Sequence, residues 1–365
     1  MGFKCGIVGL PNVGKSTLFN AITASEQAAA ANYPFCTIEP NTGTVPVPDR
    51  RLDKLVELAK SQRVLPATIQ FEDIAGLVEG ASKNEGLGNK FLAHIRDVDA
   101  IAHVVRCFED ENVLHVSGSV DPERDIRVIQ TELALKDLET VTRRLEKAEK
   151  LARGGDKEEK LRVEILGAVK PILDEARPAR LYNVDPQHAY VLNELGLLTR
   201  KPVLYVANVG EADLPDGNAH SETVKRLAAE EGAEVAIISS KIEGEIARLG
   251  PEERREFMEG LGLTDSGLDR LIHAGYKLLG LRTYFTAGPK EVRAWTIRAG
   301  DTAPVAAGVI HSDFEKGFIR AETIAYEDYV ANGGEHGAKE AGKMRTEGKE
   351  YVVADGDVMH FRFSV

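Results

Sequence analysis

Eight residues near the N-terminus, Gly9-Leu-Pro-Asn-Val-Gly14-Lys15-Ser16, constrain this chain more than any other part of it. They satisfy G-x-x-x-x-G-K-[ST] at every fixed position. They follow the apolar run Lys4–Leu10 and precede a helical pattern at Ser16–Thr23. Strand, glycine-rich loop and helix in that order make a phosphate cradle. The glycines let successive N–H groups turn inward, and the helix N-terminus adds its dipole. Asn12, Val13, Gly14, Lys15, Ser16 and Thr17 are therefore the expected phosphate-binding stretch. Lys15 brings a point charge to the β and γ phosphates and is expected to act in catalysis as well as in binding. The Ser16 hydroxyl is placed for Mg²⁺.

A phosphate cradle of this kind needs a second oxygen ligand for its metal at the end of a neighbouring strand. Asp73 closes the run Ile69-Gln-Phe-Glu-Asp73 and is followed by Ile-Ala-Gly76. Gly76 leaves room for an N–H to approach the γ-phosphate. The segment after it, Leu77 to Asn89, holds Gly80, Gly86 and Gly88, as expected of a loop that senses hydrolysis. Tyr33-Pro-Phe-Cys-Thr37 offers a third metal ligand in the Thr37 hydroxyl, with Thr42 as the rival.

Strand-like runs at Lys4–Leu10, Thr68–Ile74, Ala100–Phe108, Val203–Val209 and Glu234–Ser239 alternate with helical stretches. That alternation predicts an α/β fold, a P-loop NTPase domain with a mostly parallel sheet. The gap from Phe108 to Val203 is far longer than one helix and its loops require. Ile126, Ile129, Leu133, Leu138, Val141, Leu145, Ala148 and Leu151 fall on one helical face, Gly154-Gly155 stops the pattern, and a second helix runs back to Pro178. The expectation is an inserted antiparallel helical hairpin, serving as a rigid scaffold or as a partner-binding arm. After about residue 281 the texture becomes short runs between glycine-rich turns, predicting a small α+β domain with a mixed sheet. Residues 333–348 read as a polar loop or short helix. The expected division is 1–122 with 200–280 for the nucleotide-binding domain, 123–199 for the hairpin and 281–365 for the last domain.

Composition sets the outer limits. A chain of 365 residues has room for two or three domains. Its 43% hydrophobic and 28% charged content is that of a soluble protein, and no run approaches the ~20 apolar residues of a membrane helix. The N-terminus shows no secretory leader, and Gly6 stands where a myristoylation signal needs Ser or Thr. Cys5, Cys36 and Cys107 lack the spacing of a zinc site or disulfide framework, which suits a reducing cytoplasm. A net charge of −12 argues against coating nucleic acid by charge alone. The acidity falls mainly in the nucleotide-binding part, so phosphate recognition there must be local.

With these pieces assembled, the chain resembles the translation-factor class of P-loop GTPases, specifically the Obg-related YchF family, also called Obg-like ATPases. The resemblance spans almost the whole sequence: GLPNVGKST at 9–17, YPFCTIEPN at 33–41, DIAGLVEGAS at 73–82, the helical insertion, and HSDFEKGFIRAE at 311–322. The last is similar to a TGS domain, a β-grasp module found in RNA-associated proteins. The resemblance implies a slow, switch-like nucleoside triphosphatase in the cytoplasm that associates with the ribosome or RNA and has no membrane partner.

Base choice is read at Asn208-Val209-Gly-Glu211, where GTPases of this class carry N-K-x-D. That Asp accepts from guanine N1–H and the N2 amine. Adenine has no N2 amine and presents an acceptor at N1, while both purines offer N7 to Asn208. Val209 and Glu211 thus weaken the guanine grip, although a longer Glu arm still reaches guanine. The resemblance implies ATP over GTP. Ser239-Ser240-Lys241 stands where relatives place a base-flanking S-A-K loop. Leu77 replaces the Gln that orients water in many relatives. The resemblance suggests His115 as the substitute, against the ordinary reading of a loop His as structural. It also likens Asn12 to an Asn that holds K⁺, against a plain turn residue. In the C-terminal module Phe314, Lys316, Phe318 and Arg320 are the expected RNA contacts, with burial of the phenylalanines as the competing reading. Two rivals stand beside the ATPase switch: a GTPase with a degenerate base motif, and a nucleotide-gated ribosome-binding module in which hydrolysis is incidental.

Overall fold

In the computed structural model, residues 3–30, 41–74 and 87–364 are described. The first sheet contains β1 (Lys4–Val8), β2 (Thr42–Pro46), β4 (Thr68–Asp73), β5 (Ala100–Cys107), β6 (Val203–Val209) and β7 (Glu234–Ile238) in the order β2-β4-β1-β5-β6-β7. All pairings are parallel except that of the edge strand β2, which runs antiparallel to β4. Strands β5 and β6 are buried along their whole length, the run of apolar residues expected where helices cover both faces of a parallel sheet. The five strands expected from sequence are present; β2, short and polar on alternate residues, was not anticipated.

Helix α1 (Lys15–Ala30) begins inside the phosphate-loop motif and runs beyond the expected Thr23. Helix α2 (Arg51–Ala59) follows β2, and α3 (Leu87–Asp97) leads into β5. The insertion opens with α4 (Pro122–Ala152), capped by Asp121, whose carboxylate accepts from the Arg124 N–H, with Pro122 in the first turn. Helix α5 (Lys157–Asp174) returns beside it, capped by Asp156. It ends before Pro178, and Ala176 adopts φ 55° just past its end. Leu151, read as part of the apolar face, is exposed at the tip. The hairpin has its own core, in which Val141, Ile165, Leu166, Val169 and Leu173 meet Val191, Leu192 and Leu197. Buried Asp137 of α4 ties the return segment down: its carboxylate accepts from Leu198 N–H at 2.8 Å, Thr199 N–H at 2.7 Å and the Thr199 hydroxyl at 2.6 Å.

The second sheet is mixed, in the order β11-β10-β12-β8-β9-β3. It joins β8 (Leu281–Ala287), β9 (Val292–Arg298), β10 (Phe318–Ala325), β11 (Arg345–Glu347) and β12 (Asp357–Phe363). Its edge strand β3 (Val64–Leu65) comes from the N-terminal part and pairs parallel with β9. One face of this sheet packs around Tyr284, Ile297, Ala303 and Phe361. From the other, Phe285, Val292, Ala294, Ile324 and Val358 join the same core as Ile69, Phe71 and Leu271 of the nucleotide-binding half. Arg51 bridges the two halves, bidentate to Asp49 and 2.7 Å from Asp355. No helix among the described residues is long and apolar enough to cross a membrane.

Candidate nucleotide site

Strands β1, β4, β5, β6 and β7 end along one edge of the first sheet, at Val8, Asp73, Cys107, Val209 and Ile238. Their registers place Ile7 opposite both Asp73 and Ala102, and Asn208 opposite both Arg106 and Ile238. Order reverses beside β1, and open α/β sheets bind ligands at the carboxyl edge where the order reverses.

The phosphate loop crosses this edge. Asn12 (φ 61°) and Gly14 (φ 101°) take left-handed conformations. At Gly14 a side chain is excluded twice over, since a Cβ would also lie 2.2 Å from the Asn208 amide nitrogen. At Gly9 a Cβ would meet the Val104 carbonyl oxygen at 2.5 Å. Val13 points its side chain into the core, so it offers a ligand only its main chain. Ser16 and Thr17 are exposed in the first turn of α1.

Lys15 is buried, and its ammonium donates to the Leu10 carbonyl at 2.6 Å. Burial lowers its pKa to about 8, with Asp73 pulling the other way. The Asp73 carboxyl is raised by burial, an effect that Lys15 opposes. The two candidate groups thus feel each other across the site. Thr37 and Gly76 lie outside the described residues, as do Leu77, Gly80 and Gly86; Thr42, the rival to Thr37, is taken up as the first residue of β2.

Asn208 is nine-tenths buried and works as a staple: its amide donates to the Val13 carbonyl at 2.8 Å, and its oxygen accepts from Ser240 N–H at 2.9 Å. It therefore fixes the phosphate loop to the end of β6 and to the helix Ser240–Ile246, and its oxygen is already engaged. Val209 is 2% exposed and belongs to the core; its side chain cannot reach a base. Glu211 opens the exposed turn Glu211–Asp213 and is free to meet solvent or ligand. Ser239 is buried beside Ser240, whose hydroxyl has no hydrogen-bond partner among the described residues.

His115, which the resemblance suggested as the water-orienting residue, is held here by its own loop and by α4. Its side chain is only 3% exposed. Nδ1 accepts from Ser117 N–H at 3.0 Å, which assigns the proton to Nε2, and Nε2 meets Asp125 Oδ2 at 2.8 Å. Both ring nitrogens are taken within its own loop and the start of α4, leaving none for a water molecule. The loop is nonetheless tied to the phosphate site, because the Asn12 amide donates to the Leu114 carbonyl at 3.0 Å. That bond leaves the Asn12 side-chain oxygen without a partner among the described residues. Arg106, 2% exposed, anchors the same loop through the carbonyls of Phe108 at 3.1 Å and Val113 at 2.8 Å. Sequence reasoning missed Arg106 and Asp125; an arginine inside the apolar run of β5 was the available signal for the first, and nothing local marked the second.

In the C-terminal half, Phe318 is buried and Arg320 pairs with Glu322 at 3.5 Å. Phe318 is thus withdrawn into the core, while the Arg320 side chain stays half exposed. Phe314 is partly buried, stacked on Phe363 at a centroid distance of 3.8 Å, and Lys316 is exposed.

Comparison with known proteins agrees with this arrangement along the whole chain. Residues 4–144 match a family model described as 50S ribosome-binding GTPase, and residues 281–364 match the C-terminal YchF GTPase model, itself described as a protein of unknown function. Proteins named ribosome-binding ATPase YchF from Haemophilus influenzae and Bacillus subtilis are each 58% identical, with all of both chains covered. Obg-like ATPase 1 of Pongo abelii is 48% identical over 99% of this chain and 92% of its own. A solved structure of the Schizosaccharomyces pombe YchF GTPase superimposes with a TM-score of 0.90 at 42% identity, covering 99% of this chain and 98% of the other. The phosphate loop, the helical insertion and the C-terminal sheet together place this chain in the YchF family of P-loop nucleoside triphosphatases.

Proposed function

We propose that this protein is a slow ATPase whose nucleotide state governs association with the ribosome. The observation that carries the reading is the phosphate loop itself, with Gly14, Asn208 and Ser240 locked together around a buried Lys15 whose ammonium is held within the loop. Relatives named ribosome-binding ATPase support the ribosome as partner, and the cytoplasm is the setting that goes with it in this proposal. Residues 1–122 with 200–280 would bind nucleotide, 123–199 form the arm, and 281–365 make the ribosome or RNA contact.

The residues fit a magnesium ion. An exposed Ser16 hydroxyl and a partly buried Asp73 carboxylate are hard oxygen donors of the few-ligand kind that Mg²⁺ accepts alongside phosphate and water. Thr37 is the third proposed ligand. When bound, Mg²⁺ would draw charge from the phosphates. Lys15 exchanges the Leu10 carbonyl for phosphate oxygens, the main-chain N–H groups of Asn12 to Thr17 hold the rest, and Gly76 is assigned to the γ-phosphate. The free oxygen of Asn12 is the proposed K⁺ ligand.

Selection of ATP over GTP rests on Glu211 at the exposed end of β6, with Asn208, Ser239 and Ser240 framing the base; Val209 contributes only main chain. We assign water orientation to His115 after its loop gives up the bond to Asp125. Competition between ATP and GTP for the intact protein tests the reading: tighter ATP binding supports it, and equal or tighter GTP binding favours the degenerate GTPase.

A further inference from the structure

Where the two halves meet there is a polar cavity of about 630 Å³, within the ~300–1,000 Å³ of small-ligand sites. It shares no residue with the phosphate loop. The helix Gly267–Leu278 and the segment between β2 and α2 line it from the first half, Thr283 and Asp355 from the second. Ion pairs cancel part of its charge, and what they leave over is unevenly placed. On one wall two carboxylates answer to one guanidinium: Arg51 meets Asp49 at 2.7 Å and Asp355 at 2.7 Å, so the cluster keeps one negative charge in excess. Asp355 also accepts from the Thr283 N–H at 2.8 Å, yet its side chain is 47% exposed and its carboxylate has lone pairs to spare. At the rim Arg50 and Asp265 cancel each other at 3.3 Å. The wall built by the helix is the reverse. Arg270 donates only to main-chain carbonyls, those of Asp265 at 3.2 Å and Ile237 at 2.9 Å, and makes no ion pair among the described residues. His273, one turn further on, lines the cavity with no polar partner among them.

A spare negative charge on one side and a spare positive charge on the other set a specific demand. A lone anion is drawn to Arg270 and repelled by the Asp49 and Asp355 cluster, and a lone cation meets the opposite. A molecule carrying both charges answers both walls through charge-assisted hydrogen bonds. We propose that this cavity binds a small zwitterion of the amino-acid class, its ammonium on Asp355 and its carboxylate on Arg270 and His273. The site stands apart from nucleotide chemistry. Its ligand touches both halves, so binding stabilises the folded chain by mass action.

Isothermal titration of the intact protein tests this, with a non-hydrolysable ATP analogue filling the phosphate loop so that no probe carboxylate binds there. Glycine, 4-aminobutanoate and 6-aminohexanoate present both charges at increasing separation. Hexanoate and hexylammonium present one charge each. At least one zwitterion should bind about tenfold tighter or more than both single-charge probes, and should raise the thermal midpoint as its concentration rises. Asp355→Asn keeps an acceptor for the Thr283 N–H, and Arg270→Gln keeps a donor for the Ile237 carbonyl. Each should weaken the zwitterion by about tenfold or more, the loss of one charge-assisted bond. The single-charge probes should move the other way: Asp355→Asn tightens hexanoate, and Arg270→Gln tightens hexylammonium. A purely structural role for these side chains would not produce that reversal. If one variant fails to fold, the other decides. No binding by any of the zwitterions, equal binding of hexanoate or hexylammonium, or folded variants that bind like the parent would each overturn the proposal and leave these charges to join the two halves.

Discussion

Lys15 meets two demands at once: it is shut away from water by the fold, and it must be charged to hold phosphate. Burial brings its pKa to about 8 in the free protein, and a bound triphosphate raises it again. A group whose pKa rises on binding takes up a proton, so ATP affinity is level below about pH 8 and falls as pH rises above it. Isothermal titration at pH 7 and pH 9.5, in buffers of different ionisation enthalpy, should show both the loss and the proton uptake. Lys15→Ala should weaken ATP binding by about 10–150-fold, the equivalent of ~1.5–3 kcal/mol for a charge-assisted contact, and flatten that pH dependence. His115 invites a second comparison at this scale. If its imidazole reaches water during the reaction, His115→Ala lowers the single-turnover rate about 100-fold and leaves ATP affinity nearly unchanged. An unchanged rate would assign the ring wholly to its bond with Asp125.

At the scale of elements, much of the site was legible because local signals and tertiary demands agreed. A strand, six loop residues and a helix specify the phosphate loop, and Asp73 could be found because it ends an apolar run. The base motif was legible only in part. Position in the sequence marked Asn208 but could not show that its amide also ties Val13 to Ser240. Nor could it show that Val209 faces the core, since every residue of β6 is buried. A Val209→Lys exchange would place an ammonium in that core and mainly unfold the protein. Glu211→Asp alone is the usable test, and it should shift the ratio of GTP to ATP affinity upward in a competition assay. Strand β2 was missed because Thr42–Pro46 is short and pairs antiparallel at an edge. The hairpin was legible from periodicity, but its anchor was not. Asp137→Ala would leave two N–H groups and one hydroxyl unpaired, costing roughly 3 kcal/mol or more. Faster hydrogen exchange at Leu198 and Thr199, with α1 unaffected, is the expected result.

Across the whole molecule, sequence texture marked a change near residue 281, and β8 does begin at Leu281. What texture could not show is that the two sheets share a core and that β3 crosses between them. Deleting everything after residue 280 would strip the partner of Val64–Leu65 and bare Ile69 and Phe71, so the product should aggregate and cannot report on the ATPase alone. Work on the intact chain is needed. Coupling of hydrolysis to the ribosome is the central expectation. Single-turnover hydrolysis of ATP by the intact protein, with Lys15→Ala as control, should be slow alone and several-fold faster with ribosomes present. An equal rate with and without ribosomes, above the Lys15→Ala background, would contradict it.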